Sequence, residues 1–375
     1  MAPQAPELIV DYHEGFEIAP HYEWAKSLGL PIHRGYYIED GRTAELGWWE
    51  ERQCYAAFVM LSGQEGTGEM RITEIPAGQS LPPLKFALDE LVYVLSGRGL
   101  TTIWEGSNSK TFEWQDRSMF LLPRNQMHQL SNAQGNAPVR LVHYNFFPTA
   151  LAGIPYPELF FNNDNFLPVK EQGIDADLYS TATSAPSSTG SVLWWGNFFP
   201  DMAGWEKFRH QGSRGAGAAG VAMQFPHSPH FAHMSVIPTQ RYKKGHRHGP
   251  GFAIAIPAGE GYSIMWKDGG EKVVVPWHEA SIFIPPSRWF HQHFNTGTIP
   301  ARYLALHPPV QFAYDEKVGD RSQNQIEYVD EEPWIREKFQ EELAKNGLTT
   351  EMPEDAYSDR DFQWSNAIDP TLTAK

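Results

Sequence analysis

An internal repeat constrains the fold of this chain more than any other feature of its sequence. Residues of the first half recur in the second half at a spacing of 162 or 163 positions. The matched pairs are Ile75/Ile237, Pro76/Pro238, Gly97/Gly259, Gly99/Gly261, Trp104/Trp266, Trp114/Trp277, Ser118/Ser281, Phe120/Phe283, Pro123/Pro286, His128/His291, Gln129/Gln292, Asn132/Asn295, Pro138/Pro300 and Arg140/Arg302. The sequence therefore predicts two copies of one domain.

Each copy has the pattern of an all-β domain. Met70 to Ile75 alternates in polarity, and Leu91 to Leu95 is an apolar run that ends in the turn Ser96 to Gly99. The chain has 375 residues, enough for two domains, and its 32 Gly and 29 Pro suit many tight turns. The tail adds an amphipathic segment from Glu332 to Gly347, with Pro in its first turn and Gly at its end, which predicts a surface helix.

Three histidines of the second copy form a candidate metal site. His246 and His248 are two residues apart, and strand side chains at this spacing share a face. His291 lies 43 residues downstream in a second β-type segment. Imidazoles that meet from two strands can bind a metal and leave coordination positions open. The alternative is a solvated basic turn, because Arg241, Lys243, Lys244 and Arg247 surround the pair.

These motifs resemble those of the cupin superfamily, which are small jelly-roll β-barrels. Pro286, His291 and Asn295 match the second cupin motif, with Arg288 at its usual Gly, while the Glu ligand of the first motif would fall at Phe252 or Ala253. The resemblance implies a three-His site without the Glu. It also implies an all-β fold of two tandem cupin barrels with a C-terminal helix. The predicted domains are an arm (1–65), barrel 1 (66–150), a linker (151–225), barrel 2 (226–312) and a tail (313–375).

The first copy provides an internal comparison for the site. Leu84 and Phe86 occupy the positions of His246 and His248, whereas Glu90 and His128 match the other two ligand positions of the family. Two ligands rarely hold a transition metal. We therefore expect barrel 1 to bind no metal and to serve a structural role.

A closer resemblance covers most of the chain. Gly35 to Asp40, Tyr93 to Gly99, His246 to Gly251 and His291 to Asn295 resemble blocks of two-barrel cupins labelled as ethanolamine ammonia-lyase-activating. More distantly, the chain resembles gentisate-type dioxygenases. Three-His cupin sites of this kind imply iron(II), with Mn, Zn, Ni and Cu as alternatives.

The resemblance implies an iron(II)-dependent dioxygenase that cleaves a C–C bond of a small oxygenated substrate, aromatic substrates included. One alternative is a non-oxidative metallo-cupin (a decarboxylase, lyase or isomerase), and another is a non-enzymatic binding or activator protein. His293 shares a strand face with His291, and we assign it a catalytic role as a further ligand, proton shuttle or oxygen-binding group. Arg288 is a candidate clamp for a substrate carboxylate.

The composition limits the partners. The formal net charge of −15 argues against nucleic acid and anionic membranes. A single cysteine, Cys54, excludes an intrachain disulfide and a cysteine-based metal site. No signal peptide or long apolar run is visible, so we expect a cytoplasmic protein. The expected partners are a small-molecule substrate, O2 and further copies of the chain in a homo-oligomer.

Overall fold

The structure is a computed structural model that describes residues 19–64, 66–166, 174, 177–186, 192–204, 208–312 and 323–368. Its strands, in chain order, are β1 (Ile32–His33), β2 (Tyr37–Ile38), β3 (Gly47–Trp49), β4 (Cys54–Val59), β5 (Glu69–Ile75), β6 (Leu84–Lys85), β7 (Glu90–Ser96), β8 (Gly99–Glu105), β9 (Asn108–Trp114), β10 (Met119–Leu122), β11 (Met127–Asn132), β12 (Val139–Asn145), β13 (Thr183–Pro186), β14 (Val192–Trp195), β15 (Phe198–Phe199), β16 (Arg209–His210), β17 (Ala219–Gln224), β18 (Phe231–Ile237), β19 (Gly245–His246), β20 (Ala253–Ala258), β21 (Gly261–Trp266), β22 (Val273–Trp277), β23 (Ile282–Phe283), β24 (Phe290–Asn295), β25 (Ala301–Leu306) and β26 (Gln325–Ile326). The α-helices are α1 (Pro20–Ser27), α2 (Phe147–Gly153) and α3 (Pro333–Lys345).

Each half of the chain builds one barrel from a larger and a smaller sheet. The first larger sheet has the order β1-β4-β5-β12-β7-β10-β15, and its partner sheet has the order β6-β11-β8-β9. The second larger sheet has the order β13-β14-β17-β18-β25-β20-β23-β2, and its partner has the order β22-β21-β24-β19-β26. The same order of equivalent strands in both halves confirms the predicted duplication and the two-barrel, all-β fold class.

The two halves exchange short strands. Strand β2 lies before the first barrel but pairs with β23 of the second, with Tyr37 opposite Phe283. Strand β15 lies before the second barrel but pairs with β10 of the first, with Met119 opposite Phe199. Each larger sheet therefore ends on a strand supplied from outside its own repeat.

The larger sheets are apolar on both faces because both faces of each sheet are buried. In β7, Val92 and Val94 point into the core of barrel 1. The alternate residues Leu91 and Tyr93 join a second core, which also contains Ala253 and other side chains of barrel 2. Strand side chains alternate between faces, so one face of each larger sheet fills its barrel and the other packs against the neighbouring barrel.

The predicted C-terminal helix is present as α3 and covers the smaller sheet of barrel 2. Ile335, Phe339 and Leu343 lie one helical turn apart and are buried. Their cluster includes Tyr242 and Phe294 of that barrel, and this packing places α3 on the outer face of β24. Each helix among the described residues is too short or too polar to span a bilayer.

The sheets extend beyond the predicted barrel bounds. Strand β4 falls within the predicted arm, and β17 falls within the predicted linker, yet each is a strand of its larger sheet. In β17, small residues such as Ala219 and Gly220 dilute the hydrophobic signal that marks a strand in a sequence. The last part of the predicted linker (151–225) is therefore a strand, from Ala219 to Gln224.

Candidate metal centre

Two strands of the smaller sheet of barrel 2 bring the predicted ligands together. Strand β19 pairs with β24, and His246 lies directly opposite His291. His248 follows two residues after His246, beyond the short strand. On β24, Phe290 and Phe294 pack under α3, so the alternate residue His291 points to the barrel interior. His246 and His291 therefore meet from two paired strands, whereas His248, predicted on the same strand as His246, lies just beyond it.

The three imidazoles converge on one point. One ring nitrogen of each lies within 4.8 Å of the others. The ring centroid of His291 is 4.4 Å from that of His246 and 4.7 Å from that of His248. Nitrogens bound to one metal at about 2.1 Å lie at most about 4.2 Å apart. Small rotations of the rings would therefore be enough to close the group around an ion.

Backbone carbonyls orient two of the rings. The Nδ1–H of His246 donates to the Lys244 carbonyl at 3.1 Å, and the Nδ1–H of His291 donates to the Trp289 carbonyl at 3.2 Å. A partner of this kind fixes the tautomer and leaves Nε2 as the ligand atom. The hydrogen bonds therefore prepare both rings for metal binding through Nε2.

Burial keeps the three rings neutral. It lowers the pKa of His246 and His291 well below the ordinary value, and it lowers the pKa of His248 to about 4. The positive charge of Arg214 acts in the same direction on all three rings. Metals bind the neutral form of imidazole, so these rings are in the ligand form at neutral pH.

A small cavity of about 230 Å³ adjoins the three histidines. Ligand pockets for drug-sized molecules have volumes of about 300–1,000 Å³, so this cavity suits a smaller molecule. The side chains around it are Gln211, Arg214, His233, Ser235, Lys243, His246, His248, Phe252, Ile254, Pro285, His291, His293, Tyr303, Ala305 and His307. Among these residues there is no carboxylate, whereas there are two cationic side chains and several imidazoles.

His293 lines the cavity beside the three-nitrogen group. Its ring centroid is 5.5 Å from that of His291 and 6.4 Å from that of His246. A hydrogen bond of 2.7 Å joins its Nδ1 to the hydroxyl of Ser263, which also accepts from Trp277. Its place beside the group keeps the predicted catalytic role open, and that role stays a prediction.

Arg288 lies on the turn before β24 and is exposed. Its backbone is left-handed, with φ of 61°, and its N–H donates to the His248 carbonyl at 2.8 Å. The residues around the cavity do not include it, whereas they do include Arg214. The carboxylate clamp assigned to Arg288 stays a prediction, and Arg214 is the arginine that the fold places at the cavity.

Phe252 occupies the position of the absent Glu ligand. Its ring stacks on His248 at 4.2 Å between centroids and on His307 at 3.9 Å. His307 in turn shares a hydrogen bond of 2.7 Å with His233. An aromatic ring therefore packs against the ligand set at the position where the cupin motif has a Glu.

Lys243 and Tyr303 line the cavity, although the sequence did not mark them as site residues. The solvated basic turn, the alternative for His246 and His248, is wrong, because Lys243 is only 2% exposed and His246 only 5%. A comparison of the two copies could have identified Lys243 as a buried position. At the repeat spacing, Lys243 and Tyr303 take the places of Leu81 and Leu141, both of which are buried.

In barrel 1, the equivalent space is mostly filled, with a cavity of about 20 Å³. Both oxygens of Glu90 are engaged, by Arg71 and Asn145 on one side and by His143 on the other. Burial opposes the charge of Glu90, but Arg71 and His143 outweigh it and hold the pKa of the carboxyl well below its usual range. Glu90 thus belongs to a buried ion-pair network. That barrel 1 binds no metal stays a prediction.

No family model and no curated protein matches this chain. Among solved structures, it is similar to Lactobacillus farciminis oxalate decarboxylase in a formate complex, with 11% identity and a TM-score of 0.46 over 74% of this chain and 87% of that one. A deletion mutant of Bacillus subtilis oxalate decarboxylase gives 9% identity and a TM-score of 0.47 over 88% of each chain. An 11S globulin from Wrightia tinctoria gives 10% identity and a TM-score of 0.49, over 73% of this chain and 83% of that one.

Likeness at this level carries no argument about activity, and the fold assignment rests on the strands of this chain itself. Both halves repeat one order of antiparallel strands in two facing sheets. The histidine positions of the cupin motifs fall on equivalent strands, with His128 on β11 and His291 on β24. The chain therefore has two jelly-roll-type β-barrels in one polypeptide, which is the fold that the resemblance to cupin motifs implies.

Proposed function

We propose that this protein is a metal-dependent enzyme, and specifically an iron(II) dioxygenase that cleaves a C–C bond of a small oxygenated substrate. One observation carries the proposal. His246, His248 and His291 place ring nitrogens within 4.8 Å of one another, at the wall of a cavity that would hold a small molecule.

The residues fit a divalent metal. Three neutral imidazoles leave the full charge of the ion in place, and three ligands leave coordination positions open. When bound there by the three histidines, iron(II) would supply open coordination positions that activate a substrate and O2. Zinc, manganese, nickel and copper also accept imidazole ligands, so metal analysis forms part of the test.

The other side chains that line the cavity have roles in this proposal. Lys243 and Arg214 give the cavity positive charge, which favours a substrate with an anionic oxygen. The Nδ1 of His293 is held by Ser263, so we assign its Nε2 the task of holding or passing a proton next to the substrate. Phe252 excludes water from one side of His248 by stacking on its ring.

A non-oxidative metallo-cupin is the second candidate, and the cationic wall favours it. Lysine and arginine side chains stabilise negative charge that develops in decarboxylation or isomerisation, and neither reaction consumes O2. The consumption of O2 separates the two candidates, and bound metal separates both from a binding or activator protein without catalysis.

The test combines metal analysis with oxygen uptake. Protein purified without oxygen would be analysed for metals as wild type, as His291→Ala and as His128→Ala. The last variant is a matched control, because His128 occupies the same strand position in barrel 1. We expect about one metal per chain in the wild type and in His128→Ala, and a loss of at least tenfold in His291→Ala.

Oxygen uptake would then be measured with small hydroxylated aromatic acids, diketones and thiols. The proposal predicts substrate-dependent uptake by the iron-loaded wild type that His291→Ala lacks. Equal metal content in all three proteins would contradict the assigned site. Turnover of a substrate without O2 uptake would favour the non-oxidative candidate.

A further inference from the structure

The ammonium group of Lys243 is buried in the cavity wall, and none of its partners among the described residues is negatively charged. Its side chain donates to the oxygens of Gln211 at 3.0 Å, Ser235 at 2.5 Å and Tyr303 at 3.1 Å. All three acceptors are neutral. Burial lowers the pKa of this lysine, and its hydrogen bond to Tyr303 partly offsets the effect. A buried cation of this kind is costly unless an anion comes to it.

When the hydrogens of Lys243 and its three acceptors are counted, one donor, the Tyr303 hydroxyl, has no acceptor among the described residues. The ammonium has three hydrogens, and the three acceptors take all of them. The Ser235 hydroxyl hydrogen goes to Gln211 at 3.0 Å. The Tyr303 hydroxyl accepts from Lys243, and among the described residues nothing accepts its own hydrogen. A phenol that accepts from an ammonium is a stronger donor toward a further acceptor.

The unused donor belongs to the cavity. Tyr303 lines it, and the Tyr303 ring lies 4.9 Å between centroids from that of His293 and 6.1 Å from that of His233. The His293 ring neighbours both the Tyr303 ring and the His291 ring, and all three residues line the same cavity. A molecule bound near the three candidate ligands could therefore reach the hydroxyl with its far end.

The internal repeat points to the same group. In barrel 1, the positions of Lys243, His293 and Tyr303 are Leu81, Leu130 and Leu141, all of them buried. The copy that has the three candidate ligands thus also replaces three interior leucines with polar side chains. A barrel core does not need these polar groups, since the sister barrel packs without them.

We propose that Tyr303, supported by Lys243, binds the carboxylate of a small carboxylic acid in this cavity. This inference names the substrate class of the same cavity and therefore rests on the proposed function. The negative charge of the substrate balances the buried ammonium, and the Tyr303 hydroxyl fixes the orientation of the carboxylate. The other end of the acid then faces the three histidines.

The test compares acids with neutral molecules of the same shape. Binding of acetate and benzoate, each beside its amide, would be measured by calorimetry on the full-length protein in a zinc-loaded and a metal-free form. We expect at least one acid to bind roughly tenfold more tightly than its amide in both forms. Tyr303→Phe should weaken that acid roughly tenfold or more, because it removes one charge-assisted hydrogen bond.

Tyr262→Phe is the matched control. Tyr262 is about as buried as Tyr303, its hydroxyl makes no hydrogen bond among the described residues, and it stacks on Phe294 beneath α3, away from the cavity. We expect no change in acid binding by this variant. Lys243→Met should behave like Tyr303→Phe. If the methionine variant does not fold, Tyr303→Phe alone decides.

The outcomes separate this inference from the proposed function. If neither acid binds better than its amide, or if Tyr303→Phe binds acids as the wild type does, the inference is overturned. Acid binding that needs the metal but not Tyr303 also overturns it, while leaving the metal site intact. If the protein holds no metal, Tyr303-dependent acid binding in the metal-free form would support the inference and contradict the proposed enzyme.

Discussion

His128 and His291 are equivalent residues in the two barrels, and they show what the orientation of a ring does and does not imply. Each donates from Nδ1 to the backbone carbonyl two residues earlier, Gln126 in one case and Trp289 in the other, at 3.2 Å in both. The orientation is therefore a property of the strand. The proposed metal binding comes from the residues opposite, which are His246 in one barrel and Leu84 in the other.

The buried imidazole of His128 predicts an acid-dependent loss of stability. Burial lowers the pKa of His128 to about 4, whereas a histidine in an unfolded chain has a pKa near 6.5. Because the folded pKa is the lower one, the unfolded state takes up the proton first, and stability falls as the pH drops from about 6.5 toward 4. At pH 5, this contribution amounts to about 2 kcal/mol.

Urea unfolding of the wild type and of His128→Leu at pH 7.5 and pH 5 measures this effect. The wild type should lose about 2 kcal/mol more than the variant between the two pH values. Equal losses would mean that His128 is protonated as easily in the folded protein as in the unfolded chain.

The sequence predicts the convergence of His246, His248 and His291, because strand periodicity and the repeat together fix which face these residues share. It does not reveal that Lys243 is buried. A lysine in a run of basic residues looks solvated, and its burial depends on strands that are distant in sequence, such as the one carrying Tyr303. The copy comparison is the sequence signal that marks Lys243 as an interior position.

At the level of elements, the turn before β24 keeps a left-handed residue in both copies. Arg288 has φ of 61°, and Asn125, its counterpart before β11, has φ of 57°. Asparagine tolerates this conformation, whereas arginine pays roughly 1 kcal/mol for it. Glycine is the usual residue of the cupin motif at this position, and the backbone explains that preference.

Replacing Arg288 with glycine should therefore not destabilise the turn. We expect Arg288→Gly to raise the free energy of unfolding by up to about 1 kcal/mol, because the relief of strain exceeds the added freedom of the unfolded chain. Thermal unfolding measures the change, with Asn125→Gly as the matched variant in barrel 1, where the gain should be smaller.

The same variant tests the clamp assigned to Arg288. If the side chain binds a substrate carboxylate, Arg288→Gly should raise KM with little change in kcat. Unchanged kinetics would assign anion binding to residues that line the cavity.

Elements with strong local signals were predictable, whereas pairings between strands that are distant in sequence were not. Helix α3 has proline in its first turn, glycine after its end and one apolar face, and it appears as predicted. Strands β2 and β15 have two residues each. So short a stretch does not indicate which distant strand it pairs with, and the exchange of these strands between the halves was therefore not predictable.

At the scale of the whole molecule, one apolar core joins the barrels. The cluster that includes Leu91 and Tyr93 of barrel 1 also includes Met234, Ala255 and Leu304 of barrel 2. All of these side chains are buried. Neither barrel can lose its larger sheet without exposing apolar surface of the other, so the two barrels should unfold together.

Calorimetry tests this cooperativity. We expect one unfolding transition in both metal-free and metal-loaded protein, with metal raising its midpoint by stabilising the whole chain, about 2.7 kcal/mol at a free metal concentration of 100 times Kd. His291→Ala should remove the shift. Two transitions, of which metal moves only one, would mean that the barrels are thermodynamically independent.

The exchange of β2 and β15 also orders events during synthesis. When residue 150 has left the ribosome, the first barrel still lacks the strand that borders Met119, and it gains this strand only once Phe199 has emerged. Tyr37 gains its strand partner later still, when Phe283 has been synthesised. Synthesis of the chain as far as Phe199 is therefore a condition for completing the half that is made first.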